Sequence, residues 1–291
     1  LKAETDSVAD IEFAGVITGA SGSRSRSEFT VNAEACSWDA LLNDNPACKS
    51  FEKQTLNDIV NDIIDDYSEH LDSEIDARFT NTIPYCVQYN ESNYQFLQRL
   101  ARRYGEWLYN DGKKIIFGNL IEGESVKLAY PSQDVPSYNV DLKMRHVAFN
   151  HVASSYNSYD ANQKEGVEEM QREYNMLSEQ VFRASQSCFV KPTLQNLHSG
   201  GFADTDGREI VLNVSTKTQA RGEKASMLTY SGTTYCSKIK IGSKLVIVDN
   251  YIPDTSLLER SKVEQDEILI TELVHYFSAD ETYSNRFIGI P

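Results

Sequence analysis

Hydrophobic residues recur at helical spacing in two places in the first half of the chain. Elsewhere they alternate or cluster in short runs. Leu56, Ile59, Val60, Ile63, Ile64 and Tyr67 fall at i, i+3, i+4, i+7, i+8 and i+11, which is one face of a helix. Thr55 stands at the N-cap position, and Asp58 places negative charge in the first turn, where the helix dipole favours it. The pattern predicts a helix over residues 55–68, with Asp58, Asp62, Asp65 and Asp66 on or beside its solvent face. A second helix, over 92–104, opens on Ser92-Asn93-Tyr94-Gln95, a serine followed three residues later by glutamine, which is a capping box. Phe96, Leu97, Leu100, Ala101 and Tyr104 form its apolar stripe, and Gly105 supplies a left-handed stop.

Directly after it, Glu106-Trp107-Leu108-Tyr109-Asn110 and Lys113-Lys114-Ile115-Ile116-Phe117 flank Asp111-Gly112. Asp-Gly between two such runs predicts a tight hairpin over 106–117, with positive φ at both turn positions. Ile11 to Ile17 and Glu28 to Val31 read as strands, and the serine-rich Ser21 to Arg26 between them as a polar loop. Pro131 to Pro136 reads as a connection, with a domain boundary near residue 140, dividing the chain into 1–140 and 141–291. In the second part, Val147 to Val152, Glu209 to Val214, Ile239 to Ile241, Lys244 to Val248 and Ile268 to Val274 are strand-like. Residues 168–184 are weakly helical, and 219–230 is left open because Gly222 interrupts good helix formers. Without regular intervening helices, closed or nearly closed antiparallel sheets fit this half better than a parallel sheet. The fold class expected is mainly β with α, an α+β protein of two β-barrel-like domains with inserted helices.

Composition narrows the function. With 40% hydrophobic and 24% charged residues the chain is globular, not disordered. Its net charge of −15 repels phosphate backbones and anionic membrane surfaces, so nucleic acid is not an expected partner. No stretch reaches the ~20 apolar residues of a membrane-spanning helix, so stable membrane insertion by a helix is not expected either. Cys36, Cys48, Cys86, Cys188 and Cys236 are scattered without a CxxC pair, which reads as reduced thiols; spacing alone leaves a Cys36–Cys48 pair open. Leu1-Lys2-Ala3-Glu4 is neither a signal peptide nor a natural start, so N-terminal sequence is expected to be missing.

Catalytic chemistry finds no foothold. HExxH, GxSxG and GxxxxGK[ST] are all missing from the sequence. His146 and His151 are five apart, which puts them on opposite faces of a strand. His198-Ser199-Gly200-Gly201 reads as a glycine turn. Asp204-Thr205-Asp206-Gly207 opens like a calcium loop, but Ser215 stands where the closing glutamate belongs. Neither catalytic residues nor a cofactor nor a metal is expected.

Several stretches resemble one family. Gln88, Tyr89, Glu91 and Ser92, then Phe96, Arg99, Leu100 and Gly105, follow the order Q-Y-x-E-S-[DN] … F-x-x-R-L-x-x-x-x-G, with Trp107 and Tyr109 in the aromatic strand after it. At the chain's end, Ile270 to His275 and Tyr283-Ser284-Asn285-Arg286-Phe287-Ile288-Gly289-Ile290-Pro291 resemble V-T-x-V-x-H … Y-x-N-x-F-x-A-I-P. Ser50-Phe51 before Thr55-Leu56, and Phe13-x-Gly15-x-Ile17, fit the same order. Together they resemble the VgrG family, the spike proteins of type VI secretion systems, whose head module is similar to the baseplate hubs of contractile-tailed phages.

The resemblance implies a structural spike-head that works by assembly and not by catalysis. It implies a homotrimer in the full-length protein, seated on an Hcp-like tube, with baseplate proteins and effectors or adaptors as further partners. It also implies assembly in the bacterial cytoplasm and ejection with the apparatus. By the same resemblance, the first strands of the first barrel, an oligonucleotide/oligosaccharide-binding-fold domain and a needle belong beyond this sequence. The alternatives are a phage or phage-derived tail baseplate hub, a secreted hydrolase whose carboxylates converge only in the fold, and a glycan-gripping surface module with aromatics on one free face. The 16 tyrosines suit either an interface or the chain's own core.

Overall fold

A computed structural model describes residues 2–5, 8–12, 15–25, 28–120, 123–130, 132, 134–145, 150–157, 162–169, 181, 183–185, 187–189, 193–196, 214, 218, 222, 225–249, 263–264, 267–277 and 283–291. The chain is mostly β, with a sheet that curls into a half-barrel. It divides by contact density into two compact units. Unit 1 is chiefly Asp10–Asn119, and unit 2 chiefly Leu120–Ser199 with Arg208–Pro291.

After two short strands, β1 (Lys2–Thr5) and β2 (Val8–Glu12), unit 1 begins with a long hairpin of β3 (Gly15–Ser25) and β4 (Glu28–Ser37). Next come β5 (Ala47–Gln54), α1 (Leu56–Ile64), β6 (Asp72–Asp76) and β7 (Ile83–Glu91). The unit closes with α2 (Asn93–Tyr104), β8 (Trp107–Asn110) and β9 (Lys114–Gly118). Strands β5 and β7 pair as an antiparallel ribbon. Strand β9 lies between β8, antiparallel, and β6, parallel. Being central, it is buried on both faces, as Ile115, Ile116 and Phe117 show.

Both helices form where the apolar stripes place them, and both open on reciprocal capping boxes, Thr55 with Asp58 and Ser92 with Gln95. Their stripes build the core of unit 1. Leu56, Ile59, Val60, Phe96, Leu97 and Leu100 are fully buried, and Phe96 stacks on Phe51 of β5 at 5.6 Å. The acidic face of α1 is exposed at Asp58 and Asp62, and Asp65 and Asp66 are exposed in the 3-10 turn Asp65–Tyr67 that continues from it in place of the last turn of the expected helix.

Unit 2 contains β10 (Ser125–Tyr130), β11 (Ser137–Leu142), β12 (Asn150–Asn157), β13 (Asn162–Glu169), β14 (Thr193–Asn196) and β15 (Leu228–Thr234). It ends with β16 (Lys244–Asp249), β17 (Val263–Glu264), β18 (Ile268–Phe277) and β19 (Tyr283–Ile290). The main sheet runs β10-β16-β18-β19-β15-β11, with β17 on β16. It is antiparallel except at β10–β16. Leu228, Tyr230, Leu245, Ile247, Ile268 and Phe287 share its core. A bulge in β18 between Ile270 and Glu272 switches the buried phase, so Ile268 and Ile270 point inward before it and Leu273 and His275 after it.

Three expectations are corrected. Ser21 to Ser25 are strand, not loop: small residues pair as well as large ones when neither face has to fill a core. Ile239 to Ile241 lie in a turn, not a strand. Ser243 closes it, donating from its N–H to the Lys240 carbonyl at 3.1 Å and accepting the Lys240 N–H on Oγ at 3.0 Å. Ile239 is buried from that turn, which is why its surroundings read as strand. The hairpin at Asp111-Gly112 forms, but only Gly112, at φ 99°, has positive φ. Asp111 instead accepts the N–H groups of Lys113 and Lys114 on Oδ1 at 2.9 Å each, a side-chain turn that needs no left-handed aspartate.

Other expectations fall wholly or partly outside the described residues, including His146, 198–201 and 204–207. Of 209–214 only Val214 is described, as helical. Glu168 and Glu169 end β13, whereas Val181, Arg183 and Ala184 are helical. Gly222 and Ala225 are helical, and Leu228 begins β15.

Candidate functional site

The motif residues gather in two places, one in each unit. In unit 1 they surround the step from β7 into α2. The Gln88 side chain is fully buried, and its Nε2 donates to the Glu91 carbonyl at 3.0 Å and to Asn93 Oδ1 at 2.8 Å. Asn93 passes the chain on, donating from Nδ2 to the Tyr67 hydroxyl at 2.9 Å. Ser92 accepts the Gln95 N–H on Oγ at 3.2 Å, and its own N–H donates to Gln95 Oε1 at 3.0 Å.

One turn further along α2, Arg99 reaches back to β7. Its Nη2 donates to Glu91 Oε1 at 2.6 Å and to the Val87 carbonyl at 2.6 Å, and its Nε lies 3.1 Å from Glu91 Oε2. Burial opposes the Arg99 charge, but the hydrogen bond and charge of Glu91 outweigh it and raise the pKa above its usual value. The guanidinium also lies 5.1 Å from the Phe96 ring centroid, so Phe96 serves the core and the clamp at once. The helix ends on Gly105 at φ 74°, ψ 28°, the left-handed conformation that glycine adopts without a Cβ penalty. These contacts make a clamp, not a reactive centre.

Sequence spacing missed the anchor just past that glycine. The Glu106 side chain is fully buried. Its Oε1 accepts the Phe79 N–H at 2.9 Å and its Oε2 the Arg78 Nε–H at 3.3 Å, while Arg78 also donates to the Gly105 carbonyl. A carboxylate directly after a helix-ending glycine was the available signal; its partners are 27 and 28 residues away, beyond any local pattern. Glu106→Ala leaves the Phe79 N–H without its acceptor and the Arg78 guanidinium without its carboxylate. It is expected to cost about 3 kcal/mol, read as a lower denaturation midpoint, with Glu106→Gln losing about half of that because its carbonyl still accepts.

In unit 2, Asn285 and Phe287 lie side by side on the inward face of β19, both fully buried, and Pro291 follows the strand exposed. Asn285 donates from Nδ2 to the Cys236 carbonyl and to the Tyr283 hydroxyl, each at 2.8 Å. The Tyr283 hydroxyl is 2.9 Å from His275 Nδ1 across the β18–β19 pair. Burial lowers the His275 pKa and raises that of Tyr283, so both are neutral at pH 7. A neutral pair spanning two strands ties the sheet together.

What these clamps present outward is aromatic. Tyr89, next in sequence to the buried Gln88, is 78% exposed. On the outer face of the β5–β7 ribbon it stands opposite Cys48, with Val87 opposite Ser50 and the half-exposed Tyr85 opposite Glu52. The β18–β19 pair does the same with Val274 and Tyr276, opposite Arg286 and Ser284.

Solved structures share this fold. A tail protein from Neisseria meningitidis aligns over 96% of this chain and 80% of its own, at 8% identity and TM-score 0.67. The 43 kDa tail protein of prophage MuSo2 from Shewanella oneidensis aligns over 94% and 76%, at 11% identity and TM-score 0.58. An E. coli type VI secretion system component, described as structurally similar to bacteriophage T4 tail proteins, aligns over 99% and 62%, at 16% identity and TM-score 0.51. No curated protein matches by sequence. The family model described as "Phage tail baseplate hub (GPD)" matches residues 1–281, which takes in the motif at the step from β7 into α2 and stops just before β19, and the chain belongs to that family.

Proposed function

We propose that the chain is the head of a central spike in a contractile injection apparatus, a VgrG-like hub that forms a homotrimer on the tip of an Hcp-like tube and supports effector delivery. Baseplate proteins and adaptors are its other contacts; it is made in the bacterial cytoplasm and ejected with the apparatus. The observation that carries this reading is the arrangement at β7. Gln88, Glu91, Ser92 and Arg99 are spent on holding the strand, while Tyr89 between them faces outward. Rigidly held, exposed aromatics are interface material. Asn285 and Phe287 play the same holding role behind Val274 and Tyr276.

Light scattering on the purified chain is expected to give a trimer, and Tyr89→Asp to shift the mass toward the monomer with an unchanged circular dichroism spectrum. A trimer seen only in a version extended at both ends would assign assembly to those added parts, whereas a monomer at high concentration in both versions would sink the reading. A second setting, a phage or phage-derived tail, is favoured by the family's own description. Mass spectrometry of sheathed particles from producing cells, sorted by whether they carry phage head proteins, separates the two.

A further inference from the structure

We propose that the β3–β4 hairpin is a docking arm whose apolar face seats on the outer face of the β5–β7 ribbon of a second copy of the chain. The inference rests on the assembly reading above and names the contact. The hairpin is amphipathic by register. Gly22 pairs with Val31, Arg24 with Phe29 and Ala20 with Ala33, and after the bulge at Thr18 Ile17 pairs with Ala35. The extra residue is what brings Ile17 onto the face that holds Phe29 and Val31, since unbroken alternation would put it opposite. The other face carries Ser21, Ser23, Thr30, Asn32 and Glu34.

An amphipathic ribbon is expected to hide its apolar side, yet Ile17 is 61% exposed, Phe29 69% and Val31 61%. Among the described residues β3 and β4 pair only with each other. A lone two-stranded hairpin is marginal in water, and strands with open edges are usually blunted by lysine, proline, inward charge or a bulge, of which β3 has the bulge at Thr18. Neither strand has a lysine or a proline.

Charge selects the occupant. Arg24 is the one charged residue on the apolar face by register, whereas the chain as a whole carries −15, so another copy offers an acidic surface. The complement is already present on the chain: the β5–β7 outer face sets Tyr85 and Tyr89 beside Glu52, all exposed. Arm and face are different surfaces of the chain, so their contact is head-to-tail. Contacts of that kind close into a ring when the rotation between copies is a whole fraction of a turn, and a third of a turn gives a trimer.

The test uses the full chain. Phe29→p-benzoylphenylalanine, irradiated in a mixture of two differently tagged copies, is expected to link one copy to the other at peptides within 47–54 or 83–91. Phe29→Asp with Val31→Asp is expected to weaken self-association by about tenfold or more, whereas Thr30→Asp, on the polar face, leaves it unchanged. Arg24→Glu is expected to weaken it too, and adding Glu52→Arg to restore it. Unchanged circular dichroism shows that each variant folds. Links that fall within one copy or elsewhere on the second overturn the proposal, as does assembly equally sensitive to Thr30→Asp and Val31→Asp. If assembly persists through all of these variants, the arm is not the contact but the hub reading stands. If no version of the chain assembles, both fall.

Discussion

Gly118→Ala is expected to destabilise unit 1 by about 4 kcal/mol or more, a loss large enough to abolish its folding at elevated temperature. Gly118 ends β9 at φ 124°, a conformation that L side chains rarely adopt. A Cβ built there would stand 1.9 Å from the Asp76 carbonyl oxygen and 2.8 Å from the Ala77 nitrogen. Both are backbone atoms, so no rotamer relieves the overlap; β6 and β9 have to separate. That carbonyl also accepts the Asn119 N–H at 3.1 Å, which separation would break. Both tryptophans, Trp38 and Trp107, lie in unit 1, so their fluorescence on urea titration reads this unit. A midpoint equal to that of the unsubstituted chain would refute the account.

Phe287→Ala is expected to cost about 3–5 kcal/mol, and here the cause is a cavity. The ring is fully buried in the core of the main sheet, on the face it shares with Leu273 and Tyr230. It lies over Gly232, where an added Cβ would meet Phe287 Cε1 at 2.8 Å, so the glycine is the socket and the ring fills it. Once the ring is removed, a glycine has no side chain with which to close the gap. Phe287→Leu restores most of the volume and is expected to cost less than about 2 kcal/mol. Amide exchange in peptides covering 268–277 and 283–291 reads the effect. Protection there equal to that of the original chain would show that the core closes over the cavity.

The two substitutions also mark how far each motif was legible. Phe287 stands out in the terminal motif, but that its partner is Gly232, 55 positions away, is a property of the β15–β19 register. Gly118 stands in no motif at all. Its requirement comes from the parallel approach of β6, which nothing in residues 72–76 announces. Glu106 is similar: a carboxylate after a glycine is unremarkable until the fold brings Phe79 and Arg78 to it.

By itself the sequence determined what is settled within about one helical turn or one tight turn. The capping boxes at Thr55 and Ser92, the stripes of α1 and α2, the stop at Gly105 and the hairpin after it all formed as the local pattern required. Each is specified by residues three or four apart, so it is readable locally even though packing of the apolar stripe is what stabilises helices this short. The tertiary structure alone decided which strands pair across long separations, as in β10 with β16 and β6 with β9. It decided, through the bulges at Thr18 and Thr271, which faces of β3 and β18 turn apolar. Register has a period of two, so a single extra residue exchanges the two faces of a strand, and only the partner strand shows that it is there.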